Sequence, residues 1–279
     1  MGKTYKATGI NLKSKPLGEY DRLLTILTPE YGLIRAAAPG ARKHRSSLSG
    51  KSELFVVNQL LISKGRSLDK IIQVETIESY PGLSQNLGKL AAGQYLAELV
   101  LHQALSEQPQ EELFYLLREH LSRLERLSAE DLTLPNLLLA YLAHGVYHLL
   151  ALDGIAPQVQ MCCATGHPLR PNLTDPEWRI WFSIDGGGTV VLSKLGDKER
   201  SPLNPALKHL NVQIDATQLK LLQELARPQL NQDIELNFAR NWVLVENLLR
   251  QYAQYQLGCS IRSAKLIDTY LEMTSFAKT

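Results

Sequence analysis

Over the first 80 residues apolar and polar positions alternate in short runs separated by turn chemistry. In residues 5–13, Ile10 and Leu12 alternate with Asn11 and Lys13, which predicts a strand, and residues 22–28 are rich in β-forming types. Pro29-Glu30-Tyr31-Gly32 has the composition of a turn, since proline presets φ and glycine accepts a positive one. Further strands are expected at 33–38, ending at Pro39-Gly40, and at 52–63 and 68–78, joined by Lys64-Gly65-Arg66-Ser67. Five strands in so short a segment favour a small closed barrel, because closure removes exposed edges.

After Tyr80-Pro81-Gly82 the apolar period lengthens. Leu83, Leu87 and Leu90, and then Leu113, Leu117, Leu121 and Leu124, recur at spacings of three and four, which places each set on one face of an amphipathic helix. Pro109 separates these helices, and Pro135 is suited to open a third that runs to Leu152 and stops at Asp153-Gly154. From 156 to 205 the pattern gives way to Pro, Gly and short β-like pieces such as Trp178-Arg179-Ile180-Trp181-Phe182-Ser183. Helical spacing returns at Leu219, Leu222 and Leu225, and at Phe238, Trp242, Val245, Leu249 and Tyr252, before a Leu257-Gly258 stop. The expected organisation is α+β: a barrel at 1–80, a helical domain at 81–155 and 206–279, and an insert at 156–205.

Composition narrows the class. An apolar fraction of 44% supports a sizeable core, and the longest strongly apolar stretch, residues 137–143, is far short of a bilayer span of about 20 residues. The N-terminus has no apolar signal core, and the three cysteines cannot build a disulfide framework, so a cytoplasmic protein is expected. Charge is segregated: residues 1–80 carry 13 basic and 7 acidic side chains, 81–150 carry 4 and 8, and 151–279 carry 13 of each. The net charge of +2 therefore averages a basic first segment and an acidic helical one.

No motif supplies catalysis. Gly50-Lys51-Ser52 imitates the end of a phosphate-binding loop, but Arg45 stands where that loop needs glycine. His144 and His148 have the spacing of a zinc-protease helix, yet Gly145 occupies the position of the general base. Cys162-Cys163-Ala164-Thr165-Gly166-His167 is metal-like but lacks a second ligand pair, and Asp185-Gly186-Gly187-Gly188-Thr189 lacks the strand-then-helix context of a dinucleotide site. No enzyme activity, cofactor or metal is expected.

The basic first segment remains. Lys13, Lys15, Arg22, Arg35, Arg42, Lys43, Arg45, Lys51, Lys64 and Arg66 are the candidate nucleic-acid contacts, because small barrels with basic loops hold single strands by tracking phosphates and stacking bases on aromatics. Tyr5, Tyr20, Tyr31 and Phe55 are the aromatic candidates. Arg118, Arg123 and Arg126 on the second helix are candidate partner contacts. The competing readings are an RNA-binding barrel and a protein-interaction scaffold whose charge serves solubility.

The segment from Gly18-Glu19-Tyr20-Asp21-Arg22 through Tyr31-Gly32-Leu33-Ile34-Arg35 to Pro39-Gly40-Ala41-Arg42-Lys43 resembles the barrel of the RecO family of bacterial recombination mediators. The resemblance continues at Ala92-Gly93-Gln94-Tyr95-Leu96, at Leu152-Asp153-Gly154-Ile155-Ala156-Pro157, at Tyr255-Gln256-Leu257-Gly258 and at residues 263–268. It implies an OB-fold followed by a helical domain with a zinc-ribbon-like insert. It also implies binding to single- and double-stranded DNA, annealing of complementary strands, and action with RecR and RecF to load RecA onto DNA coated by single-strand-binding protein. Association with the nucleoid goes with that role. Many RecO proteins carry two Cys-x-x-Cys pairs in the insert; here Thr165 replaces the second cysteine of the first pair, and residues 190–196 contain none. The insert is accordingly expected to lack zinc and to be held by Trp178, Trp181, Phe182 and Val191.

Overall fold

The computed structural model describes residues 3–128, 130–133, 135–191, 212–231 and 239–276. By its internal contacts the chain divides into two compact units, Met1–Arg126 and Leu127–Thr279.

The first unit begins with five strands, β1 (Thr4–Leu17), β2 (Asp21–Thr28), β3 (Gly32–Ala38), β4 (Val57–Ser63) and β5 (Asp69–Glu78). They close in the order β1-β2-β3-β5-β4, the topology of an OB-fold, as expected from the strand pattern and the resemblance. β1 is shared: residues 4–10 pair with β4 and residues 10–17 with β2. Its register slips between Asn11 and Lys13, a bulge that bends the strand round the barrel. Gly9 lies at this bend, where a Cβ would come within 2.4 Å of the Ile26 side chain. Alternate residues fill the interior, among them Ala7, Leu24, Ile26, Ala36, Leu60, Ile62 and Ile71.

The strand expected from residue 52 starts at Val57 instead. Residues Gly50–Ser52 form a 3-10 turn, and Phe55 adopts a φ of +62° that ends any extended run. The burial of its ring offsets that strain: Phe55 is almost fully buried, and a Cβ on Gly93 of the neighbouring helix would lie 3.2 Å from it.

Three helices complete the first unit: α1 (Pro81–Gln85), α2 (Leu87–Gln103) and α3 (Glu111–Arg126). Leu83, Leu87 and Leu90 do not share a helix, contrary to their spacing. Asn86 is extended and its side chain caps α2 by accepting from the Lys89 N–H, so Leu83 belongs to α1 while Leu87 is exposed. Nor is α2 amphipathic. Ala91, Ala92, Tyr95, Leu96, Leu99 and Val100 are all buried, because the helix lies between β1 and α3. In α3 the predicted stripe of Leu113, Leu117, Leu121 and Leu124 is buried as expected.

The second unit contains α4 (Pro135–Leu152), which has the predicted bounds, and a sheet of β6 (Arg179–Ser183), β7 (Gly188–Val190) and β8 (Val212–Asp215) in the order β7-β6-β8. Helices α5 (Ala216–Glu224), α6 (Ala239–Leu257) and α7 (Ala264–Phe276) follow. Asp215 and Gln218 form a reciprocal capping box on α5. Trp242, Val245, Leu249 and Tyr252 bury one face of α6, whereas Phe238 lies outside the described residues. Phe182 packs edge-to-face on Tyr252 at 5.9 Å and ties the sheet to α6. The insert's buried core is Ile180, Phe182 and Val190, with Val159, Cys162 and Leu169. Trp178, Trp181 and Val191, expected to hold it, are only half-buried.

Candidate nucleic-acid interface

Directly paired residues on neighbouring strands put their side chains on the same face of a sheet. Lys13 pairs with Thr25, which pairs with Arg35; two positions along, Lys15 pairs with Leu23, which pairs with Ala37. Lys13, Lys15 and Arg35 therefore share the outer face of β1, β2 and β3, and all three are exposed. The opposite parity, Leu24, Ile26, Ala36 and Ala38, points inward.

This face runs into a groove of about 930 Å³. β3 and β5 pair only at Ala36 with Asp69 and Ala37 with Lys70, and the groove opens where the two strands part. Its apolar lining includes Leu17, Leu23 and Leu33, with the rings of Tyr5 and Tyr31, and Lys3, Arg35, Lys64 and Arg66 supply positive charge. The Tyr5 hydroxyl donates to Asp69 Oδ2 at 2.6 Å, and its ring meets Tyr31 edge-to-face at 5.1 Å. Burial, followed by the Asp69 contact, pushes the Tyr5 hydroxyl well above the usual range and keeps it a proton donor.

At the other end of β1 and β2, Gly18 takes a φ of +62° in the turn, and the loop after β3 folds against it. Arg42 Nη1 donates to the carbonyls of Gly18 and Glu19 at 3.0 and 3.1 Å, and Lys43 Nζ lies 5.3 Å from the centre of the exposed Tyr20 ring. Asp21 Oδ1 accepts from the Gly40 N–H at 2.7 Å, which fixes this loop. Arg45 is exposed with a φ of 60°. Of the four aromatic candidates, Tyr20 and Tyr31 are exposed, Tyr5 is half-buried, and Phe55 belongs to the core.

Other candidate cations are engaged elsewhere. Arg22 has the inward parity; its guanidinium pairs with Glu53 at 2.8 Å and donates to Ser14 Oγ at 3.1 Å. Lys51 Nζ donates to the Val74 carbonyl at 2.8 Å, while its own carbonyl accepts from the side-chain amides of Asn11 and Asn58. On α3, Arg118 is bound to Glu78 and lies over the rings of Phe114 and Tyr115. Arg123 pairs with Glu119 one turn earlier, and Arg126 is exposed. Period-two counting along β2 separates Arg22 from the outer face. The ring of Tyr31 as part of the groove follows only from the tertiary path of the chain.

In the insert, Cys162 lies in a tight turn in which the Cys162 N–H donates to the His167 carbonyl and the Gly166 N–H to that of Cys162. Burial raises the Cys162 thiol, but hydrogen bonds from Thr165, Val191 and Ala164 outweigh it and hold the thiol below its ordinary value. The Val191 N–H reaches Sγ at 3.4 Å, where a zinc site would need further thiolates. Among the described residues no group of three or more His, Cys, Asp or Glu side chains converges. His144 and His148 both direct Nε2 at the Arg227 carbonyl, at 2.8 and 3.0 Å. No helix among the described residues is long and apolar enough to cross a membrane.

The closed five-stranded barrel places the first unit in the OB-fold class. Comparison with known proteins takes this further. The N-terminal model of recombination protein O matches residues 1–80, and the C-terminal model matches residues 84–265. A "DNA repair protein RecO" of Trichodesmium erythraeum is 60% identical over 281 residues, covering 99% of this chain and 97% of the relative. Those of Nostoc punctiforme and Gloeobacter violaceus are 53% and 42% identical, covering 97% of this chain in each case and 97% and 95% of the relatives. The chain belongs to the RecO family of DNA repair and recombination proteins.

Proposed function

We propose that the chain is a non-catalytic recombination mediator that binds single- and double-stranded DNA on the outer face of β1 to β3. It anneals complementary strands there and, with RecR and RecF, helps RecA load onto DNA coated by single-strand-binding protein. The observation that carries this reading is the shared outer face of Lys13, Lys15 and Arg35 and its continuity with the groove bearing Lys64 and Arg66. Cations on one face neutralise phosphates and release counterions while leaving base edges free to find a complement. Arg42, Lys43 and Arg45 extend the same track past Tyr20. The setting for this work is the nucleoid.

The acidic tail of single-strand-binding protein is assigned to α3. Arg126 is exposed there, beside Arg123 in its pair with Glu119, while Arg118 is already engaged by Glu78. Annealing of complementary strands coated with single-strand-binding protein tests the reading. The chain is expected to speed annealing severalfold; equal rates with and without it would contradict the proposal.

A further inference from the structure

The groove combines two kinds of chemistry. Apolar side chains and two tyrosine rings line it together with the cations of Arg35, Lys64 and Arg66, and its carboxylates are Asp69 on β5 and Glu107 on the opposite side. A duplex, with its bases stacked inside, presents phosphates, sugars and base edges to such a site but no free base face. An unpaired strand presents both phosphates for the cations and a flat apolar base for the rings.

The rings are preset. Tyr31 lies in the β2–β3 hairpin, where its N–H donates to Thr28 Oγ1 at 3.0 Å and Thr28 Oγ1 donates to the Gly32 carbonyl at 2.9 Å. Gly32 has a φ of +64°, and a Cβ there would be 2.1 Å from the Leu105 carbonyl oxygen, so no other residue fits this turn. Tyr31 is 39% exposed, which leaves it available to a ligand.

Asp69 joins both walls. Oδ2 accepts from Tyr5, whose ring abuts Tyr31, and Oδ1 accepts from the Gly65 N–H at 3.0 Å in the loop that carries Lys64 and Arg66. That loop is tight: a Cβ on Gly65 would sit 1.9 Å from the Leu68 carbonyl oxygen. The Asp69 charge also repels phosphate from the Tyr5–Tyr31 wall, which leaves the backbone to the cations and the rings to a base.

We propose that this groove is a base-accepting subsite for unpaired DNA, in which Tyr31 stacks a base and Asp69 is a positioning residue that holds the Tyr5–Tyr31 wall and the Lys64–Arg66 loop in register. The proposal rests on the reading that the barrel binds DNA. It gives the barrel a means to tell unpaired strands from duplex by their bases, beyond charge.

The test compares the full chain's affinity for labelled oligothymidylate and for an abasic oligomer of equal length and charge, at fixed salt. The unaltered chain is expected to prefer oligothymidylate roughly tenfold, the scale of one stacked base. Tyr31→Ala should bring that ratio to about one through loss of oligothymidylate affinity, and Tyr31→Trp should restore it. Asp69→Ala should lower the ratio while raising affinity for the abasic oligomer, since a repelling charge is gone; a purely structural role would lower both. Equal binding of the two oligomers by the unaltered chain would overturn the subsite and leave phosphate binding standing. Failure to bind either would overturn both readings.

Discussion

The outer face of the barrel and the interior of the two units carry two populations of arginine and lysine that the sequence writes alike. Lys13, Lys15 and Arg35 stand on the outer face of β1 to β3, exposed to solvent. Arg22, one position from Leu23 on the same strand, has the opposite parity and is held by Glu53, Ser14 and the Ser52 carbonyl. Arg250 in the second unit is the extreme of the internal population: it pairs through Nη2 and Nε with the buried carboxylate of Glu246 and through Nη1 with both oxygens of Asp268. The difference teaches that a segment's charge excess does not measure its capacity for DNA. Parity and partners decide which cations are available.

Removing an internal cation should break the protein before it touches binding. Arg250→Ala strands Glu246, whose side chain is 2% exposed, and is expected to destabilise the second unit by about 3–5 kcal/mol in thermal unfolding. Burial already pushes the Glu246 carboxyl up against the opposing pull of Arg250, and the variant pushes it further. With its folded-state pKa above the unfolded value of about 4.3, the folded variant holds a proton that the unfolded chain releases. The stability deficit should therefore be greatest at neutral pH and shrink as pH falls through the raised folded value towards the unfolded one. A deficit that grows on acidification would contradict the role given to Glu246.

Arg22→Ala should cost less, about 1 kcal/mol, because the Glu53 side chain is 53% exposed and water screens that pair. Its melting temperature should fall by a few degrees while the salt dependence of DNA binding stays the same. Arg126→Ala, which removes an exposed side chain, should change stability by no more than about 0.5 kcal/mol. Any larger fall in its melting temperature would show that Arg126 belongs to the internal population.

Where neighbours along the chain dictate structure, the sequence was readable. The β2 and β3 strands, α4 between Pro135 and Leu152, and the stop at Gly258, with a φ of +62°, all follow from local chemistry. Departures came from tertiary demands. Phe55 accepts a left-handed backbone to reach Gly93, Asn86 breaks the leucine spacing by capping α2, and α2 is buried on more than one side because it is sandwiched. The bulge near Leu12 shifts parity in the middle of β1, so that Lys13 and Lys15 face outward beyond it. The pairing of Arg118 with Glu78 joins residues too far apart in sequence for any spacing argument to anticipate. The same holds for the groove, which brings together Tyr5, Tyr31 and the loop after β4.

The central claim is that exposed cations on one barrel face, and not the segment's total charge, hold DNA. The most direct measurement is the salt dependence of single-strand affinity in the unaltered chain and in Lys13→Ala/Lys15→Ala/Arg35→Ala. With about six phosphate contacts at about 0.7 each, the unaltered slope of log K against log salt should be near −4. The triple variant should flatten it to about −2 with its melting temperature nearly unchanged. A slope that stays near −4 in the variant would contradict the account.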